Sequence, residues 1–229
     1  MTSLTTRPGQ TLRGTIGVPG DKSVTHRAII LTALAEGLST VSGYCRGEDC
    51  LDTMRALQAL GIRIEETPKV LTVQGKGLWG LSEATGPVDC GNSGTGIRLL
   101  AGLLAGQDFF TILTGDESIR RRPMGRVVKP LREMGAVIAG RKGGELAPLA
   151  ITGKRLHGIE YISPVASAQV KSSLLLAGLF AGGRRDFVSR GCRVIIPNGC
   201  SNRSEFPLRG RTTRWFCRDG LMWGGRVGR

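Results

Sequence analysis

The stretch DKSVTHRAIILTALAEG at residues 21–37 sets small polar and charged residues directly ahead of a short apolar run that stops at a glycine. The same design returns in GNSGTGIRLLAGLLAGQ at 91–107 and in SAQVKSSLLLAGLFAGG at 167–183, a period of about seventy residues. A second matched pair lies between these segments. Leu57, Leu60, Gly61, Ile62 and Ile64 in the first interval correspond to Leu131, Met134, Gly135, Ala136 and Ile138 in the second. Each predicts an amphipathic helix stopped by glycine and followed by an alternating strand. TVSG at 40–43 and FTILTG at 110–115 read as strands ending in turns. The pattern predicts an α/β chain of repeated helix–strand–helix–strand units around a shared core. Two copies are full, and a third begins and then fails.

The repeated helix starts share a chemistry. A helix N-terminus exposes unpaired N–H groups and the positive end of its dipole, so it attracts phosphates and carboxylates. The first start offers Lys22, Ser23, Thr25 and Arg27 after a Pro-Gly turn, and the second offers Asn92, Ser93, Gly94 and Thr95. The third offers Ser167 and Gln169. If the three helices run parallel, one face presents three anion-binding ends together. Taken singly the signals are weak. Ser or Asn at a helix start commonly serves only as a cap. GNSGTG matches neither the phosphate-loop nor the dinucleotide glycine pattern. A lone His26 reads as a surface residue, and RRRPMGR at 120–126 reads as a solvated basic turn with Pro123 opening a helix. Together they point to a polyanionic small molecule.

Composition narrows the class. At 229 residues the chain has room for one large domain or two small ones, and its 35 glycines favour tight turns over long helices. The six cysteines (45, 50, 90, 192, 200 and 217) form no CxxC pair and fit the reduced thiols of a cytosolic protein. The N-terminus lacks the apolar run of a signal peptide, and the apolar stretches at 99–105 and 174–181 are too short to span a bilayer. The net charge of +14 is uneven. Residues 184–229 hold eleven arginines, no lysine and three acids, a net of +8, which leaves +6 for residues 1–183. A mildly basic body suits an anionic small substrate. The arginine-rich end alone supports a different class, a non-enzymatic basic protein that binds nucleic acid.

Four motifs in order, PGDKSVTHRAIILTALAEG, GNSGTGIRLL, RRPMGRVVKPLREMGA and ASAQVKSSLLLAGL, closely resemble the 5-enolpyruvylshikimate-3-phosphate (EPSP) synthase family over residues 10–183. The resemblance implies two similar domains of βαβαββ units, each half of an inside-out α/β barrel, closing over the substrates. It implies transfer of the enolpyruvyl group of phosphoenolpyruvate to the 5-hydroxyl of shikimate 3-phosphate with release of phosphate, on the cytoplasmic route to chorismate and the aromatic amino acids. It implies no cofactor, metal, nucleic acid or membrane.

Carried over by motif, Lys22 lies between the two substrates and is the catalytic candidate. Ser23, Arg27, Ser167 and Gln169 hold shikimate 3-phosphate, Arg27 through its carboxylate, where a planar guanidinium is the fitting donor. Asn92, Gly94, Arg122 and Gln169 line the phosphoenolpyruvate site, where the herbicide glyphosate competes. Ala168 stands where many relatives have a second Ser, and Leu99 where a Pro is common. The sister family acting on UDP-N-acetylglucosamine usually has Asn at the position of Ser23 and a reactive Cys near Arg122. Here no Cys lies between Cys90 and Cys192.

Beyond 183 the resemblance ends. The family continues with a segment like Ser-Arg-Asp-His-Thr-Glu-Arg-Met-Leu, where this chain reads CRVIIPNGC at 192–200. Read from the third base of each codon, Cys192 through Ser201 permit that family segment in full. The sequence therefore predicts three parts. Residues 1–20 are an N-terminal strand and hinge that join a second domain. Residues 21–183 are the EPSP synthase-like N-terminal domain, and 184–229 are an out-of-frame basic tail without regular structure. A chain of this kind is expected to be inactive alone and to need a separate C-terminal half as partner.

Overall fold

The structure is a computed structural model that describes residues 5, 13–164, 166–183, 185–189 and 192–196. An extended lead-in at 15–20 precedes helix α1 (Lys22–Leu34), strand β1 (Glu36–Ser42), helix α2 (Glu48–Ala59) and strands β2 (Arg63–Glu66) and β3 (Val70–Lys76). The chain continues through β4 (Val88–Asp89), α3 (Gly94–Leu104), β5 (Phe110–Thr114), the short α4 (Glu117–Arg121) and α5 (Gly125–Glu133). Strand β6 (Val137–Gly140), the distorted single turn α6 (Arg141–Gly144) and strand β7 (Leu146–Thr152) follow. The last described stretch holds β8 (Leu156–His157), β9 (Glu160–Ile162), α7 (Ala168–Gly178), β10 (Ala181–Gly182), β11 (Arg185–Ser189) and β12 (Cys192–Ile196).

Strand pairing follows one scheme twice. β3 lies between β1 and β2, antiparallel to both, with Glu36 opposite Lys76 and Ser42 opposite Val70. β7 lies between β5 and β6 in the same way, and β4 adds in parallel to β5. In the last sheet β9 runs parallel to β11, and β12 lies antiparallel on the other side of β11. β12 therefore stands beside β11 where β3 stands beside β1 and β7 beside β5. It arrives directly rather than by way of a helix. The expected N-terminal strand falls largely outside the described residues, but the turn at Gly20 is on view. A Cβ there would sit 2.0 Å from the carbonyl oxygen of Gly43, so the lead-in is pressed against the end of β1.

β11 and β12 fall within 184–229, where the sequence predicts no regular structure. Val194, Ile195 and Ile196 have high strand propensity whatever reading frame produced them, and β11 offers an edge to pair with. Residues 197–229 lie outside the described residues, as does most of the segment in which the frame change is expected.

The helices pack around α3. Every residue of α3 except Thr95 is buried, Arg98 included, and the helix touches α1, α2, α5 and α7. Ile29, Ile30, Leu57, Leu71, Ile97, Leu100 and Leu113 are among the fully buried side chains of the single apolar cluster. Each contributes about 2 kcal/mol by leaving water. No helix among the described residues is long and apolar enough to cross a membrane.

Candidate functional site

Four helices present their N-termini on one face. The cap of α1 is Asp21, which accepts from the Val24 N–H at 2.7 Å. Ser93 caps α3 by accepting from Gly96 N–H at 2.9 Å, and Ser167 caps α7 by accepting from Val170 N–H at 3.4 Å. Cross-helix contacts fix their relative direction. Near the start of α7, Gln169 donates through Nε2 to Thr95 Oγ1 near the start of α3 at 3.0 Å. Further along, a Cβ on Gly102 of α3 would lie 2.1 Å from the Ser173 carbonyl of α7. The two helices are therefore parallel and in step. Arg27 of α1 donates from Nη2 and Nε to Ser172 Oγ of α7 at 3.0 and 3.2 Å. Lys22 pairs with Asp49 at 2.9 Å, and His26 meets Thr53 at 2.9 Å one turn below, so α1 and α2 are parallel too.

This arrangement brings together Lys22, Ser23, Arg27, Asn92, Gly94, Arg122, Ser167 and Gln169. Each has a definite setting. The Lys22 ammonium is held by Asp49, whose hydrogen bond and charge raise its pKa, so it stays cationic at neutral pH. Ser23 is exposed, and its carbonyl accepts from Arg27 Nη1 at 2.7 Å. Asn92 is pinned at both ends. Its amide donates to Asp116 Oδ2 at 2.7 Å, and its oxygen accepts from Arg122 Nη2 at 2.8 Å. The turn that carries Arg122 differs slightly from expectation, because α5 begins at Gly125 behind Met124 and not at Pro123.

Three residues at the site escape a reading of the sequence. Arg98 is 3% exposed, and its guanidinium donates to Gly94 O (2.8 Å), Gln169 Oε1 (2.9 Å) and Pro123 O (2.9 Å). It thereby ties α3, α7 and the Arg122 turn at one point. Burial, with the charges of Arg126 and Arg122, lowers its pKa to about 10, which still leaves it cationic. A cluster of Arg98, Arg122 and Arg126 beside a helix N-terminus favours an anion. Asp49 sets Lys22, and Ser172 sets Arg27. Arg98 had a signal, as the one charged side chain in the apolar run 97–105. The other two had none.

His26 is the clear correction. It is fully buried between α1 and α2, not on the surface. Thr53 donates its own proton to Asp49 O at 3.3 Å, so its oxygen is left to accept from the ring N–H. The other ring nitrogen is buried without a partner. Burial, opposed by the charge of Asp49, lowers the His26 pKa from 6.5 to about 4. Protonation therefore favours the unfolded chain between those values, and stability present above pH 6.5 is lost as pH falls toward 4. The loss expected is about 3 kcal/mol. Urea midpoints measured from pH 7 to pH 4 should fall in wild type and fall less in His26→Gln. Equal slopes would remove His26 as the cause.

Gly94 makes a second prediction. A Cβ there would lie 2.8 Å from Arg122 Nη1 and 3.1 Å from Arg98 Nη1. Both atoms end flexible side chains, so Gly94→Ala should keep the fold, changing stability by less than about 1 kcal/mol, while pushing the guanidiniums off their positions. Isothermal titration with phosphoenolpyruvate should show affinity lowered about tenfold. Unchanged affinity would mean that the displaced arginines do not face the ligand.

The fold and face together define an α/β domain with a basic crest of helix ends. The family model described as EPSP synthase (3-phosphoshikimate 1-carboxyvinyltransferase) matches residues 6–195, and the chain belongs to that family. It is 58% identical over 226 aligned residues to a 3-phosphoshikimate 1-carboxyvinyltransferase of Citrifermentans bemidjiense, covering 92% of this chain and 53% of the relative. The corresponding Geobacter sulfurreducens enzyme is 58% identical over 209 residues, covering 91% of this chain and 47% of its own. An EPSP synthase structure from Acinetobacter baumannii superposes with a TM-score of 0.74 at 46% identity, over 77% of this chain and 40% of that one. The chain thus spans about half the length of the curated relatives that it matches.

Proposed function

We propose that the helix-end face of this chain binds shikimate 3-phosphate and phosphoenolpyruvate, and that it forms one side of an active site that transfers the enolpyruvyl group to the 5-hydroxyl and releases phosphate. The observation that carries this reading is the convergence of Lys22, Arg27 and Gln169 at parallel helix starts, with Arg122 beside them on the turn after α4 and Arg98 tying Gln169 to that turn. Arg27 takes the carboxylate of shikimate 3-phosphate, Ser167 its phosphate, and Ser23 and Gln169 hold the same ligand. Arg122, Asn92 and Gly94 take phosphoenolpyruvate, and glyphosate competes there.

Lys22, kept protonated by Asp49, supplies positive charge between the substrates and donates to the departing oxygen rather than acting as a base. The 5-hydroxyl gives up its proton and adds to C2 of phosphoenolpyruvate while the methylene carbon takes a proton and becomes a methyl group. The tetrahedral adduct then loses phosphate and one proton of that methyl group. Such chemistry needs closure from a second face to exclude water and align the reactants. We accordingly assign this 229-residue polypeptide binding without turnover when assayed by itself, with a separate C-terminal half as the partner that restores it. Free thiols at Cys45, Cys50 and Cys90 suit a reducing cytoplasm.

Calorimetry with shikimate 3-phosphate, beside phosphate-release assays with and without an added C-terminal half from a relative, tests the reading. Binding by the chain, and release only in the mixture, is the expected result. Failure of shikimate 3-phosphate to bind while sulfate and phosphate do would reduce the face to a general anion site.

A further inference from the structure

Cys45 and Cys50 flank the start of α2, and neither belongs to the binding face. Cys50 is buried, and its thiol points at the carbonyl of Lys22, 3.6 Å away. Cys45 is half-buried at the mouth of the same turn, and its sulfur accepts from Gly47 N–H at 3.4 Å. Gly47 is the N-cap of α2, and its carbonyl takes the Cys50 N–H at 2.9 Å, so both cysteines are anchored on one residue. The Cys45 backbone is fixed from the other side, donating to Thr25 Oγ1 at 2.9 Å. The two cysteines therefore flank Gly47 at the first turn of α2. Asp49, the partner of Lys22, lies between Gly47 and Cys50 in the same turn.

We propose that Cys45 and Cys50 are a dithiol modification site that takes up low-molecular-weight disulfides and closes to an intramolecular disulfide, altering the grip of Asp49 on Lys22. The more accessible sulfur reacts first. The Cys45 thiolate, its proton released to solvent, attacks one sulfur of the oxidant and expels one thiolate. Cys50 then loses its proton and attacks Cys45 sulfur, expelling the second. Two protein thiols are oxidised, and the small disulfide takes two electrons and two protons to become two thiols. Burial pushes the Cys50 thiol up to about 12, which suits it to the second step rather than the first. The charge of the Lys22 ammonium favours the Cys50 thiolate. Closing the ring removes the S–H donor from the Lys22 carbonyl and tightens the turn that carries Asp49.

The link to Lys22 rests on the proposed substrate face, whereas the disulfide itself does not. The full chain is incubated with oxidised glutathione and alkylated, and its disulfides are then mapped by peptide mass spectrometry. A Cys45–Cys50 bond forming ahead of any bond to Cys90, Cys192, Cys200 or Cys217 is expected, with Cys45→Ser blocking glutathione uptake and Cys50→Ser trapping the mixed disulfide on Cys45. Absence of that bond, or the same trapping in the reverse order, overturns the site. Shikimate 3-phosphate affinity measured before and after oxidation should fall about fivefold and recover with dithiothreitol. An unchanged affinity overturns the coupling to Lys22. If the reduced chain binds no shikimate 3-phosphate, the substrate reading fails. The mapping and the rate of Lys22 acylation, expected to rise on oxidation, then still decide the dithiol site and its coupling.

Discussion

Gly102→Ala is expected to damage the fold and the helix-end face together. The new methyl would fall 2.1 Å from the Ser173 carbonyl oxygen and 2.7 Å from its carbonyl carbon, both backbone atoms of a neighbouring helix. A side chain can swing aside, but a helix backbone cannot. α3 and α7 must therefore separate, and α3 is the buried centre against which four other helices pack. The cost expected is about 3 kcal/mol, the upper range for overpacking a core. The damage reaches the site because Gln169–Thr95 and Gln169–Arg98 span the same pair of helices. Urea unfolding and shikimate 3-phosphate titration should both deteriorate. Wild-type stability in this variant would show that the interface is looser than 2.1 Å implies.

Arg98→Met is expected to separate two roles of one residue. Methionine fills much of the volume, so the core near Leu99 and Leu100 remains packed. The carbonyls of Gly94 and Pro123 and the side-chain oxygen of Gln169 each lose a donor. Gly94 is buried and Pro123 is exposed, so the penalties are unequal, and a loss of about 2 kcal/mol is the reasonable sum. Ligand affinity should suffer more than stability does. Removing the guanidinium frees Gln169 to rotate and takes a positive charge from behind Arg122. A loss of about a hundredfold in phosphoenolpyruvate affinity, with Arg98→Lys recovering only part, is the outcome that calorimetry should give. Full recovery by Lys would assign the residue to charge alone and not to its forked hydrogen bonds.

These two residues also show why some of the site was legible and some was not. Helices α1, α3 and α7 announce themselves because a capping residue, an apolar run and a stop recur in one order, and each mark acts within a single turn. Lys22, Asn92 and Ser167 sit at those marks, so they can be named from the sequence. Their parallel arrangement cannot be read from it, since it depends on Gly102 meeting Ser173 and on Arg27 reaching Ser172, contacts 71 and 145 residues apart in the chain. Asp49 is in the same position. As one of two acids opening α2 it looks like an ordinary dipole partner until Lys22 is found beside it. His26 misleads for a related reason. A lone histidine among the polar residues of a helix start reads as solvent-facing, yet α2 packs on α1 and supplies Thr53. In the last strands the run Val194-Ile195-Ile196 supplies strand propensity, so β12 forms in a stretch that the sequence reads as irregular, and the family match itself extends to residue 195.

Helices laid side by side with their dipoles aligned repel one another, whereas neighbours pointing opposite ways attract. This is relieved in α2 by Glu48 and Asp49 in its own first turn and in α1 by its cap Asp21, but α3 and α7 have no acid there. Crowding these like poles together is a stress that a bound dianion relieves. Occupancy and thermal endurance should therefore rise together, with a multiply charged ester raising the melting temperature more than a neutral sugar acid of equal size.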